Sequence, residues 1–201
     1  MAAVRIRPYR PDDHDALAEV CVRTADAGGD ATGLLSDDGL WSALFFSPYV
    51  ERHPDLAFVA ERDGAPVGYV VAAPDTRAFE SWFRRDWWPR FAARFPDPGD
   101  ASGREARLVR HGYRYGCGES PPWVADHPAH LHIDLMPAAQ GQGVGRRLIE
   151  ALLAELGARG VPGVHLGADP ANAGALAFYE RLGFDRLDAG EGSAVFARAL
   201  R

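Results

Sequence analysis

Gln140-Gly141-Gln142-Gly143-Val144-Gly145 and, downstream, Asn172-x-x-Ala175-x-x-x-Tyr179-x-x-x-Gly183-Phe184 are the two stretches on which the reading of this chain turns. Glycine lacks a Cβ, so a run rich in it lets the backbone adopt positive φ and bring several N–H groups onto one anion. A strand-like stretch precedes the run and an amphipathic helix follows it. The first N–H groups of that helix have no partner within it, and its dipole adds positive character at the same spot. The first segment therefore predicts a phosphate-binding loop whose ligand is a phosphorylated carrier. The second predicts a helix on which Ala175, Tyr179 and Leu182 share one face beside Phe178, closed by Gly183.

The flanking sequence supplies a frame. His130 to Met136 alternates, with Leu131, Ile133 and Leu135 on one face for a core and His130, His132 and Asp134 on the other, polar one. A helix is expected from about Gly143 to Arg159, its buried stripe at Val144, Leu148, Leu152 and Leu156. Short strands follow at 162–168 and at Ser193 to Leu200. Towards the N-terminus, Val4 to Pro8 reads as a strand, and Asp12 or Asp13 caps a helix running to Gly28. A second helix is expected over Asp37 to Val50. The Asp63-Gly64 pair between two β-rich runs predicts a hairpin.

Pro74 to Ala129 is a long inserted segment. Phe79, Phe83, Trp87, Phe91 and Phe95 recur every four residues, which predicts one amphipathic helix. Its face packs on the sheet or across a homodimer interface, or walls part of a substrate groove. The region from Asp97 to Trp123 reads as an irregular loop carrying Tyr113, Tyr115, Glu119 and Trp123.

With 201 residues and 47% apolar content the chain can bury a full core, and it reads as one domain, 1–201. A net charge of −6 argues against a nucleic-acid surface. All 22 basic residues are arginine, which excludes a Schiff-base lysine and the Gly-Lys-Ser/Thr of a P-loop nucleotide site. Cys21 and Cys117 lie in unrelated contexts and suggest reduced thiols. Neither a signal peptide nor an 18-residue apolar stretch is seen, so no membrane partner is expected and a cytoplasmic setting is.

The two opening motifs resemble those of the Gcn5-related N-acetyltransferases (GNAT), Gln/Arg-x-x-Gly-x-Gly/Ala and Asn-x-x-Ala-x-x-x-Tyr-x-x-x-Gly-Phe, with every position filled. The resemblance implies the α/β acyl-CoA N-acyltransferase fold. That fold has a mixed, mostly antiparallel sheet splayed between its fourth and fifth strands, and helices on both faces. It implies acetyl-CoA as cofactor, held by Leu135, Met136, Gln140, Gly141, Gln142, Gly143, Val144, Gly145 and Arg146, with Asn172, Ala175, Phe178 and Tyr179 on the second helix. It also implies direct attack of an amine on the thioester. Tyr179 then protonates the departing thiolate, a backbone N–H near Leu135 polarises the carbonyl, and Asp134 or His132 takes the amine proton. His132 has the better-matched ordinary pKa, near ~6.5, and Asp134 the better position.

Two other readings compete. His130-x-His132-x-Asp134 resembles the start of a metallo-hydrolase motif, with His127 and His111 as extra ligands. Side chains on one strand face step by about ~6.6 Å, wide for one ion, so no metal is expected. The long insertion and the His-x-Asp strand also resemble bacterial acetyltransferase-like proteins related to the C-terminal domain of O-GlcNAcases. That likeness implies, as an alternative, a catalytically weak GNAT-like module that binds acetyl-CoA or a partner. The acceptor is expected to be an amine or otherwise polar.

Overall fold

A computed structural model of the chain describes residues 3–189 and 194–200. One seven-stranded sheet runs through it in the order β1-β2-β3-β4-β5-β7-β6. The strands are β1 Arg5–Pro8, β2 Ala57–Arg62, β3 Ala65–Ala73, β4 Ala129–Leu135, β5 Gly163–Ala168, β6 Asp185–Leu187 and β7 Ala194–Ala199. Every neighbouring pair is antiparallel except β4 and β5. A parallel pair needs a crossover, and helix α6, Val144–Ala158, supplies it. Pairing of β4 with β5 covers only Ala129–Val164 and His130–His165. Beyond His130 the two strands part, which is the predicted splay between the fourth and fifth strands.

The Asp63-Gly64 hairpin forms between β2 and β3 as expected. Ser193 of the predicted last strand lies outside the described residues, and β7 begins at Ala194. Strand β6 went unforeseen because three residues carry no readable alternation. The first helix, α1, covers His14–Val22 and stops short of Gly28. Asp13 stands at its N-cap position, but its carboxylate accepts two bonds of 2.7 Å from the Arg7 guanidinium and one of 2.8 Å from the Arg10 N–H. The expected single helix over 37–50 is two, α2 Gly39–Phe45 and α3 Ser47–Arg52, broken at Phe46 where φ is −132° ahead of Pro48.

The inserted segment departs further from expectation. Helix α4 ends at Trp82, the chain widens into a π turn over Phe83–Trp87, and a 3₁₀ turn follows over Trp88–Phe91. A strict four-residue repeat drifts off the face of a 3.6-residue helix, and a wider turn brings it back. Phe79, Phe83, Trp87, Trp88 and Phe95 are buried against Leu17, Leu44, Tyr49 and Val71. The aromatic face is thus consumed in the chain's own core on the sheet, and a dimer through it loses its basis. The expected loop contains a helix, α5, Arg104–Arg114. Its arginines hid the apolar Ala106, Val109 and the close-packed Gly112.

Two cores sandwich the sheet. Helices α1 to α3 and the insertion cover one face; α6 and α7, Ala173–Arg181, cover the other. Leu131 is buried and Ile133 and Leu135 pack against the α6 side. The face of β4 carrying His130, His132 and Asp134 is the one the sequence marks as polar. Its His130 end lies beneath the aromatic layer and is only 7% exposed, while His132 and Asp134 are half-buried.

Candidate active site

The splay opens into a cleft of about 860 Å³. Its walls include Leu135, Gln140, Gly141, Gly143, Val144, Gly145 and Arg146 from the loop and α6, Asn172, Ala175, Phe178 and Tyr179 from α7, and His132 and Asp134 from β4. Met136 and Gln142, named with them from sequence, lie off the cleft. The Met136 N–H donates to Val67 O at 2.9 Å, extending the β3 edge. Gln142 donates to Ala138 O at 2.8 Å and accepts from Arg62 at 2.9 Å, so it braces the loop from behind.

Gly141 and Gly143 take φ of 71° and 72°, left-handed values that strain any residue with a Cβ. Gly143 is the N-cap of α6, and no backbone acceptor is found among the described residues for the N–H groups of Gly141 to Arg146. Free donors and a helix N-terminus converge on one stretch of the cleft. Gln140 reaches back to Leu135 O at 2.9 Å, tying the loop to the end of β4. Gly145 lies against Phe178, where an added Cβ would stand 3.1 Å from the ring. Arg146 is exposed beside Glu150 at 3.6 Å, while Arg147 leaves the site altogether and donates to Val4 O at 2.8 Å.

Asn172 caps α7, accepting from the Ala175 N–H at 3.0 Å, and its amide donates to Ala27 O at 2.9 Å. Both ends of the side chain are occupied, and the second bond ties α7 to the turn after α1. Tyr179 is 8% exposed among Phe178, Phe184 and Phe196, and no hydrogen bond of its hydroxyl is found among the described residues. Burial, with the nearby charge of Asp134, pushes its pKa well above the ordinary phenol value, so it carries its proton at neutral pH.

Asp134 stands directly across from Tyr69 in the β3–β4 register, and the Tyr69 hydroxyl donates to its Oδ2. Burial pushes the Asp134 pKa up, with the bond from Tyr69 pulling the other way. His132 contacts the Tyr49 hydroxyl at 3.0 Å, and burial, then the nearby His111, push its pKa down to about 4. The two candidate bases thus move towards each other from their ordinary values, and the pKa advantage that His132 holds on ordinary values is lost.

Tyr49 is the hub of this face. Its hydroxyl also lies 2.9 Å from His130 Nε2 and 3.2 Å from the Tyr115 hydroxyl, and Thr76 Oγ1 is 2.8 Å from His130 Nδ1. With both ring nitrogens engaged, His130 is a structural side chain. His127 is turned away, its backbone carbonyl taken by the His165 ring at 2.7 Å. No group of three His, Cys, Asp or Glu side chains is arranged to hold a metal among the described residues. Sequence reasoning missed Cys21, Thr24, Trp41 and Phe45 in the cleft wall and Tyr69 beneath it. Only Tyr69 left a signal, as the cross-strand partner that pairing β3 with β4 would have given.

A parallel strand pair that parts over a glycine-rich helix N-terminus, with a protonated tyrosine in the gap, defines an acyltransferase of the kind that grips an acyl-CoA between two strands. Residues 28–184 match the Acetyltransferase (GNAT) family, and the chain belongs to it. The crystal structure of SsHAT is 41% identical, with a TM-score of 0.90 and 100% of both chains covered. Rat (Rattus norvegicus) Protein O-GlcNAcase is 25% identical over 182 residues, 89% of this chain and 20% of the relative. The chain thus spans about a fifth of that relative's length. The putative acetyltransferase yncA of Salmonella typhimurium, solved with its cofactor acetyl-CoA, shares the fold at 17% identity, with a TM-score of 0.58 over 100% of this chain and 95% of that one. The chain thus has the fold and the family match of the acetyltransferases, among whose solved members some are bound to acetyl-CoA or coenzyme A. No helix among the described residues is long and apolar enough to cross a membrane.

Proposed function

We propose that the chain, acting as one domain over 1–201, transfers the acetyl group of acetyl-CoA to an amine by direct attack. The observation that carries this reading is the joint position of Asp134 and Tyr179 in one cleft with the free N–H groups of Gly141 to Arg146. The loop and the α6 N-terminus bind the pyrophosphate of the carrier. The pantetheine arm runs along the parted edge of β4. N–H groups alternate sides along a strand, and that of Met136 points to β3. The Leu135 N–H therefore faces the gap and serves as donor to the thioester carbonyl, stabilising the oxyanion as the amine adds.

Asp134 accepts the proton of the attacking amine. Its raised pKa makes it a stronger base than an ordinary carboxylate, whereas His132, at about 4, is a weaker one than an ordinary imidazole. Tyr179 delivers its proton to the departing thiolate. Asn172 and Phe178 hold the wall against which the arm lies. A cytoplasmic setting fits the two free thiols, one of them exposed.

The test is calorimetric titration of acetyl-CoA into the wild type and into Gly143→Glu, whose carboxylate would occupy the phosphate position. The expected outcome is binding by the wild type that the variant loses. A folded wild type that gives no heat with acetyl-CoA overturns the reading.

A further inference from the structure

The wall of the cleft facing α6 and α7 comes from α1, α2 and β4, through Cys21, Thr24, Trp41, Phe45, His132 and Asp134. Its charge inventory is short. Among the described residues Asp134 is the one carboxylate in it, the chain has no lysine, and the other charged residues lining the cleft, Arg146, Arg181 and Asp169, belong to the opposite wall. Burial keeps His132 and the Cys21 thiol in their neutral forms. Phe45 is half-buried, stacked on His111 at 5.8 Å, tilted on His132 at 5.5 Å and 6.2 Å from Trp41, so aromatic rings share this wall with Asp134.

Resting on the transferase reading above, we propose that the acceptor is a primary amine whose ammonium is its only charge, carried on an aromatic or aliphatic body. An ammonium entering this wall meets the Asp134 carboxylate and the ring face of Phe45, both attractive to a cation. A carboxylate or phosphate on the acceptor would meet no cation on this wall and would be repelled by Asp134. A second ammonium would meet aromatic carbon and no second acid there. Amino acids, phosphorylated amino sugars and polyamines are disfavoured together by this one arrangement.

The experiment compares 2-phenylethylamine with phenylalanine and with spermidine, at one acetyl-CoA concentration, following CoA thiol release and the N-acetyl product by mass spectrometry. Calorimetry with acetyl-CoA is run on the same preparation. The expected kcat/KM for 2-phenylethylamine exceeds that for each of the others by at least about tenfold. Phe45→Ala should raise the KM for 2-phenylethylamine several-fold, by roughly the strength of one cation–π contact, and change kcat little. Equal or better turnover of phenylalanine or spermidine overturns the proposal, as does absence of product from 2-phenylethylamine. In the last case retained acetyl-CoA binding would mean that only the acceptor class is wrong. Absent binding would mean that the transferase reading fails with it.

Discussion

At the residue scale, the proposed base and acid are shaped by what surrounds them. Asp134 is poised by opposed influences, burial raising its pKa and the Tyr69 and Thr24 hydroxyls lowering it. Tyr69→Phe removes the larger of the two lowering influences and leaves burial in place, so the Asp134 pKa must rise. The proposed reaction needs the carboxylate form, and the acidic limb of the kcat/KM profile should therefore move to higher pH by about one unit, as loss of a charge-assisted hydrogen bond implies. Rates well above the limb should change little. A limb that stays in place would remove Asp134 from the role of base. Tyr179 makes a separate prediction. Its hydroxyl has no structural partner to lose among the described residues, so Tyr179→Phe should lower kcat about 100-fold while acetyl-CoA affinity, read by calorimetry, is unchanged. Equal losses in both would assign Tyr179 to cofactor packing.

At the scale of elements, legibility followed periodicity. The alternation of β4, the stripe of α6 and the cap of α7 were readable because each element repeats its pattern over several turns or pleats, and the loop at Gly141–Gly145 because its conformation demands glycine. The insertion was readable in composition and not in form. Its four-residue aromatic repeat fits neither a 3.6-residue helix nor a strand, and the π turn that reconciles it leaves no mark in the sequence. Helix α5 was hidden because it packs through small residues. Gly112 lies against the Trp88 indole so closely that a Cβ would collide with the ring. Gly112→Ala should therefore destabilise the protein by about 1–2 kcal/mol, overpacking of ~1–3 kcal/mol being partly offset by the better helix propensity of alanine. Urea unfolding measures it. Stability equal to or above wild type would mean that Trp88 yields, and that α5 is looser than its packing implies. The wall residues Trp41 and Phe45 were unreadable for a related reason, since only the three-dimensional folding of α2 over β4 brings them to the cleft.

At the scale of the molecule, the β4 polar face is divided: the insertion, through Thr76, Phe79 and Tyr115, covers its His130 end, while the turn after α1 and strand β3, through Thr24 and Tyr69, shape the carboxylate at its Asp134 end. The opposite end of the same layer depends on charge. Arg7 of β1 holds Asp13 ahead of α1 through two bonds and Glu61 of β2 at 2.6 Å, with the Arg7 and Asp13 side chains 6% and 9% exposed. This joins the sheet edge to the helix whose other end, at Cys21 and Thr24, lines the cleft. The Arg7 guanidinium holds the Asp13 pKa below the ordinary carboxylate value, with burial opposing it. A folded pKa below the unfolded one gives stability that is fully present above the unfolded value, near ~3.9, and is lost as pH falls through the folded value. Asp13→Asn removes that contribution and leaves Arg7 buried with Glu61 alone, so at pH 7 it should cost about 3 kcal/mol of unfolding free energy. As the pH is lowered below about 4, wild-type Asp13 becomes protonated and the difference between the two proteins should shrink. Urea unfolding of both at neutral pH and near pH ~2.5 tests this. A gap that stays the same at both would show that the aspartate contributes through its shape, and that the charge network at this edge does not set the stability of the wall it supports.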